Sequence, residues 1–264
     1  MKSSINNFFR RIPKWLFRSF LIVIAFIILI FNDAFGDSEV FGLLAFSYFL
    51  LLIFLLSRWI FKQIRSVINL KNEKAKTELL HLKSQVNPHF FFNMLNNLYG
   101  LVDKDSKKAQ ELILKLSDMM RYSIYEGQKD LVPLTSEIDY LQNYIALHKM
   151  RYHKTINVLF NHNIGETEFQ IMPLLFIILL ENAFKHGVEN LRKNAYVHVH
   201  LKAENNEICF DIENNFDATI TNDHEGIGLT NLKRRLELVY PNNHTFSSSK
   251  INDIYKAKLT IKGL

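Results

Sequence analysis

The sequence predicts helices in its first half and a mixed α/β layer in its second: a membrane α-helical hairpin, a helical bundle, and a C-terminal α/β sandwich. Three observations predict this. Two apolar runs are bracketed by basic residues, amphipathic helical spacing follows them, and alternating strand patterns take over after Lys154. The expected division is residues 1–56 for the N-terminal segment and hairpin, 57–76 for a helical linker, 77–153 for the bundle and 154–264 for the α/β part.

The apolar runs cover Trp15–Phe31 and Val40–Leu56, each close to the roughly 20 residues that cross a bilayer as a helix. The segment between them is short and acidic (Asp33, Asp37, Glu39). Lys2, Arg10, Arg11, Lys14 and Arg18 precede the first run, and Arg58, Lys62, Arg65 and Lys71 follow the second. By the positive-inside rule both ends face the cytoplasm and the acidic loop lies outside. A cleaved signal peptide or a pair of buried core helices are the competing readings, and the basic residues directly after the second run oppose the former. A loop this short holds no folded external receptor. The formal charge of +6, from 32 basic and 26 acidic residues, is mild, and its placement suits an anionic inner leaflet rather than direct nucleic-acid binding. Cys209 is the only cysteine and has no internal disulfide partner.

From Trp59, apolar residues recur at three- and four-residue steps: Ile60, Ile64, Val67, then Ala75, Leu79, Leu82 and Val86. The polar stretch Lys71–Lys76 interrupts this seam. The run from Gln85 to Asn97, QVNPHFFFNMLNN, then places His89 directly after Pro88, which bends or restarts a helix there. Asn93, four residues on, shares its face. A neutral imidazole is a competent nucleophile near pH 7; the bland reading is a core histidine beside a kink. Asp103–Ser106 reads as a turn and Ala109–Ile124 as a second amphipathic helix. Thr135 and Ser136 are expected caps of a third helix running to about Arg151. A helical hairpin this apolar needs a partner surface, and self-association into a dimeric four-helix bundle supplies one.

Beyond Lys154, Ile156–Phe160, Tyr196–Lys202, Ile208–Ile212 and Tyr255–Ile261 alternate as strands. Pro173–Gly187, PLLFIILLENAFKHG, reads as a buried helix concentrating Glu181, Asn182, Lys185 and His186. Burying such groups without a use is costly. A polar loop, Asn214–Glu225, leads into Gly226-Ile227-Gly228-Leu229 and a helix over Thr230–Tyr240. A Gly-x-Gly turn at a helix N-terminus brings backbone N–H groups close to an anion, although an ordinary tight turn is the commoner use. Asn242–Ser249 reads as a polar hairpin loop.

At this point the chain resembles a family. LKSQVNPHFFFNMLNNL, LSDMMRYSI, the third helix ending HKMRY, LLENAFKHG and GIGLTNLKRRLELVY occur in the order seen in LytS-type sensor histidine kinases, over roughly Leu79 to Pro241. The resemblance implies a Bergerat-type ATP-binding fold for the second half. It implies that His89 accepts the γ-phosphoryl group of ATP, that Asn182 holds Mg²⁺, that Lys185 lies near the phosphates, and that Gly226 and Gly228 admit them. It further implies transfer to an aspartate of a response regulator, often of LytTR type, and a place in the bacterial inner membrane. Mg²⁺ needs few protein oxygens, so Asn182 with or without Glu181 suffices. A network role for Asn182, a solvated Lys185 and a surface Glu181 are the structural readings of the same residues.

Two departures stand out. Phe90 follows His89 where many histidine kinases carry an acid, so the general base has no assigned residue; Asn93 is then an orienting residue. Related domains read adenine with Asp-x-Gly, whereas this chain has Glu213-Asn214-Asn215-Phe216, with Asn214 nearest the Asp. A degenerate, membrane-anchored scaffold with a vestigial ATP site is therefore the alternative, and another ATPase with a structural His89 a third.

Overall fold

The computed structural model describes residues 14–35, 37–83, 88–152, 156–165, 168–191, 193–219 and 226–263. Gln85, Val86 and Asn87 of the QVNPHFFFNMLNN run, the basic residues Lys2, Arg10 and Arg11, and the loop residues 220–225 lie outside them. The chain divides into two units, Met1–Asn72 and Glu73–Leu264.

The first unit holds helix α1, Lys14–Phe35, and most of helix α2, Glu39–Lys83. α2 runs unbroken through the expected linker and through Lys71–Lys76, because no glycine or proline falls between Gly42 and Pro88 and its polar residues include good helix formers. Among the described residues, one helix is long and apolar enough to cross a membrane, within Glu39–Leu80. In α1 the apolar stretch is the shorter Leu21–Phe31. Both helices expose many large apolar side chains, Phe26 and Leu43 among them, which a helix in water does not sustain. The Tyr48 hydroxyl donates to the Leu21 carbonyl and links the two.

In the second unit, α3 (Pro88–Val102) and α4 (Ser106–Tyr125) form a hairpin, and α5 (Leu134–Arg151) packs on it. α3 restarts at Pro88, where a proline loses no helical hydrogen bond. Asp105 caps α4 by accepting from the Lys108 N–H at 3.1 Å. Neither Thr135 nor Ser136 caps α5. That helix starts directly after Pro133, and its first N–H, on Leu134, donates to the Phe169 carbonyl at 2.9 Å, so backbone does the capping. Strands β1 (Val132–Pro133) and β3 (Gln170–Ile171) pair antiparallel beside this junction.

The α/β part is a five-stranded mixed sheet in the order β2-β4-β5-β7-β6. Its strands are β2 (Asn157–Ile164), β4 (Tyr196–Glu204), β5 (Glu207–Asn215), β6 (His244–Ile251) and β7 (Ile254–Lys262). β2 runs parallel to β4 and the other pairs are antiparallel. Alternation buries Val197, Val199, Leu201, Phe210, Ile212 and Leu259 against helices α6 (Ile177–Ala183) and α7 (Ile227–Val239), with Phe176 stacked on Phe210 at 4.5 Å. The opposite face carries ion pairs such as Lys256–Glu213 at 2.7 Å.

Two sequence expectations need correction. The segment Pro173–Gly187 is not one helix: residues 173–176 form a turn with Leu174 at φ +57°, α6 begins at Ile177, and Phe184–Val188 is a π turn. Asn242–Ser249 is not a loop, because His244–Ile251 is the edge strand β6. An edge strand pairs on one side only, so its serines stay solvated while Phe246 points inward, and the real turns sit at Asn242 and Asn252, both at positive φ.

Candidate functional site

A cavity of about 1110 Å³ opens where α3, α6, the π turn, the end of β5 and the start of α7 converge. His89, Asn93, Glu181, Asn182, Lys185, Asn214, Gly226 and Gly228 all line it. The fold thus brings together residues drawn from four separate stretches of the chain.

On α3, His89 is exposed, and the Asn93 amide nitrogen lies 3.2 and 3.3 Å from its two ring nitrogens. Phe90 faces the opposite way and is buried, stacked on Tyr144 at 4.8 Å and on His148 at 5.3 Å. The apolar anchor next to the imidazole fixes the helix and leaves the imidazole at the cavity surface.

The half-buried Glu181 and Asn182 close α6, and the exposed Lys185 and half-buried His186 follow on the π turn. Burial, then Lys185 and Lys250, keep the His186 imidazole neutral by lowering its pKa. Glu189 closes this turn; it accepts from Arg151 at 3.0 Å and from the Tyr152 hydroxyl at 2.9 Å, tying it to the end of α5. Among the described residues no three His, Cys, Asp or Glu cluster as a metal set. A cation here would be held by the Asn182 and Glu181 oxygens together with a ligand's own, which suits Mg²⁺.

Asn214 is buried. Its amide nitrogen donates to the Asn215 carbonyl at 3.0 Å, while its Oδ1 has no hydrogen-bond partner within the protein. A buried acceptor without a donor is costly unless a ligand supplies one, and an exocyclic amino group does so. Gly187 is pressed against this residue: a Cβ there would stand 2.6 Å from the Asn215 carbonyl oxygen and 2.7 Å from Asn214 Nδ2. Gly226 and Gly228 differ, since a Cβ meets nothing within 4 Å at the first and only Ile178 at 3.6 Å at the second. Both line the cavity at the N-terminus of α7, which has no side-chain cap, and the first N–H groups of a helix lack intrahelical partners.

Sequence reading missed several polar residues. His148 lines the cavity yet is buried, with neither ring nitrogen hydrogen-bonded, and burial followed by the Arg151 charge lowers its pKa to about 3. Glu137 is fully buried; its Oε1 accepts from the Tyr122 hydroxyl at 2.6 Å and from the Leu174 N–H at 2.7 Å. Burial pushes its carboxyl pKa up, against those two bonds. The signal was present: Glu137 and His148 fall on the same face as Leu134, Leu141, Tyr144 and Ile145 of α5.

Residues 77–156 match the histidine kinase family. The sensor protein LytS of Enterococcus faecalis is 29% identical over 178 residues, which are 62% of this chain and 30% of that protein. LytS of Staphylococcus haemolyticus is 32% identical over 138 residues, 52% of this chain and 24% of that one. A Bacillus subtilis protein, YwpD, is 27% identical over 189 residues, 66% and 68% respectively. The chain therefore spans about a third or less of the length of the LytS proteins it matches. Among solved structures, the histidine kinase ThkA in complex with the response regulator TrrA aligns over 74% of this chain and 66% of that one, at 11% identity and a TM-score of 0.40. The resemblance to LytS-type sensors that the motifs carry is thus found again by comparison over 52–62% of the chain.

Proposed function

We propose that this chain, similar in sequence to the LytS-type sensor histidine kinases, is a membrane-anchored homodimeric protein-histidine kinase. His89 takes the γ-phosphoryl group of Mg-ATP and passes it to an aspartate of a response regulator, of LytTR type by the family resemblance. The single observation that carries this reading is the shared cavity: the exposed imidazole and the Asn182, Lys185, Asn214 and Gly226–Gly228 set line one space.

The chemistry follows from the residues. Phosphoryl transfer is governed by positioning and charge neutralisation rather than covalent help from the protein. Asn93 can turn its amide oxygen to the protonated ring nitrogen of His89, which leaves the lone pair of the other nitrogen toward the cavity. With Phe90 beside it, the imidazole gives its proton to solvent. Lys185 and the N–H groups of α7 face the phosphates, and the orphaned Oδ1 of Asn214 takes the adenine amino group. Mg²⁺ would be held by Asn182, with Glu181 beside it, and would supply neutralisation of phosphate charge.

The apolar stretch of α2 supports a membrane anchor; the two apolar runs of the sequence and the basic residues flanking them are the basis for a second span in α1, with both termini cytoplasmic in the bacterial inner membrane. Phe92, Leu95, Tyr99 and Leu114, exposed along α3 and α4, support the dimer. The loss of the Asp-x-Gly charge at Asn214 favours the second reading, a scaffold with a vestigial site. Full-length protein in detergent, given γ-labelled ATP and Mg²⁺, should acquire an acid-labile, alkali-stable label that His89→Ala abolishes. A label that survives in His89→Ala overturns His89 as acceptor, and absence of any Mg-ATP binding by calorimetry leaves the scaffold.

A further inference from the structure

Two consecutive arginines of α7 hold the C-terminal turns of α2. Arg234 forms a bidentate pair with Glu78, Nε to Oε1 at 2.6 Å and Nη2 to Oε2 at 2.9 Å. Arg235 is 4% exposed; one of its amino groups donates to the Leu82 carbonyl and the other to the Leu174 carbonyl at 3.0 Å. Leu82 is in the last turn of α2, where carbonyls have no partner within the helix, so the guanidinium caps that helix end.

The two contacts differ in character. Glu78 and Arg234 are solvent-accessible, and exposed ion pairs add little to stability and break readily. Arg235 is a buried anchor whose removal strands carbonyls on two elements. That anchor refers both walls of the cavity to one point. Only residues 83–88 separate Leu82 from His89, and Leu174 begins the turn that launches α6 with Asn182. α7 itself starts at the lid glycines.

We propose that Arg234 and Arg235 form a regulatory joint through which a shift of α2 reaches the catalytic cavity. With the joint closed, His89 and the nucleotide wall face one space; when α2 moves, the Glu78–Arg234 pair parts first, the registration loosens and transfer slows. Nucleotide binding is spared, because Asn182, Asn214 and Gly226 all lie on the arginine side of the joint. The inference rests on the kinase reading for its rate effect and on the contacts alone for its mechanics.

The test uses the full chain in detergent with Glu78→Arg, Arg234→Glu and the doubly swapped variant. Each single reversal is expected to lower the initial labelling rate at saturating Mg-ATP by about tenfold, within the usual range of coupling between sites. ATP affinity should hold within about twofold, and the swap should recover most of the rate, as a direct pair requires. An unchanged or raised rate in the single variants, or no recovery in the swap, overturns the joint. Hydrogen exchange separates this from failure of the kinase reading: Arg234→Glu should speed amide exchange in residues 74–83, and the swap should restore it, even in a chain that takes no label. Unchanged exchange overturns the joint irrespective of activity.

Discussion

Glu137 and Arg235 grip the two ends of one residue. Glu137 Oε1 accepts the Leu174 N–H at 2.7 Å, and Arg235 Nη1 donates to the Leu174 carbonyl at 3.0 Å. Leu174 sits at φ +57°, a conformation that costs an L-residue about 1–2 kcal/mol, so the two side chains hold the turn that aims α6.

Removing one grip should therefore be severe. Glu137→Ala is expected to cost about 1–3 kcal/mol, because it leaves the buried Leu174 N–H and the Tyr122 hydroxyl without their acceptor. Glu137→Gln keeps an acceptor, and burial already favours the neutral carboxyl, so it should cost much less. Urea denaturation of both variants checks this; equal losses would refute the acceptor role.

Two glycines, Gly187 pressed against Asn214 and Gly228 at the cavity, should respond in opposite ways. Gly187→Ala is expected to cost about 1–3 kcal/mol and to weaken nucleotide binding, because its Cβ collides with backbone and displaces Asn214. Gly228→Ala has room and lies within α7, so it should stabilise the fold by up to about 1 kcal/mol. If phosphates approach that backbone, the same variant should still bind Mg-ATP more weakly. Paired thermal melts and calorimetry decide; unchanged affinity in Gly228→Ala removes the lid glycine from the site.

Acid should act through His148. Its folded-state pKa of about 3 lies below the ordinary 6.5, so the unfolded chain takes up a proton that the folded one refuses. The stability this residue allows is complete above pH 6.5 and is lost as pH falls from there toward 3, by up to about 1.4 kcal/mol per unit. His148→Phe should flatten that decline between pH 6.5 and 4.5, before most carboxylates titrate. Parallel pH profiles of unfolding free energy for the two proteins would contradict it.

Phe90 and Phe92 should separate core from interface. Phe90→Ala removes a buried ring stacked on Tyr144 and is expected to cost about 3–5 kcal/mol. Phe92 is 65% exposed, so Phe92→Ala should change the stability of a single chain by under about 0.5 kcal/mol while weakening self-association. Denaturation and light scattering of both variants supply the comparison, and an unaltered dimer in Phe92→Ala would move the interface elsewhere.

Periodicity made α3, α4, β4, β5 and β7 legible, because each buries one face and keeps water on the other. β6 escaped for a physical reason: an edge strand paired only to β7 tolerates Thr245, Ser247 and Ser248, whose composition is that of a loop. The start of α6 escaped because Pro173 suggested a helix start, whereas the Leu174 turn depends on Glu137 and Arg235, remote in sequence. The candidate residues lining the cavity stood in two compact motifs, the Glu213–Phe216 stretch and a glycine pair. Glu137 and His148 did not stand out although they share the apolar face of α5, since a polar residue on an amphipathic helix is ordinarily assigned to solvent.

The π turn at Phe184–Val188 makes the spacing between Asn182 and the residues after it differ from that of a regular helix, with the Glu189 N–H reaching back to the Phe184 carbonyl at 2.9 Å. Deleting a single residue there would impose ordinary winding and shift Lys185, Gly187 and Glu189 relative to Asn182. Chain length in this stretch is then constrained alongside the side chains of Lys185 and Gly187. A one-codon deletion would disturb the cavity wall as a bulky residue at Gly187 would.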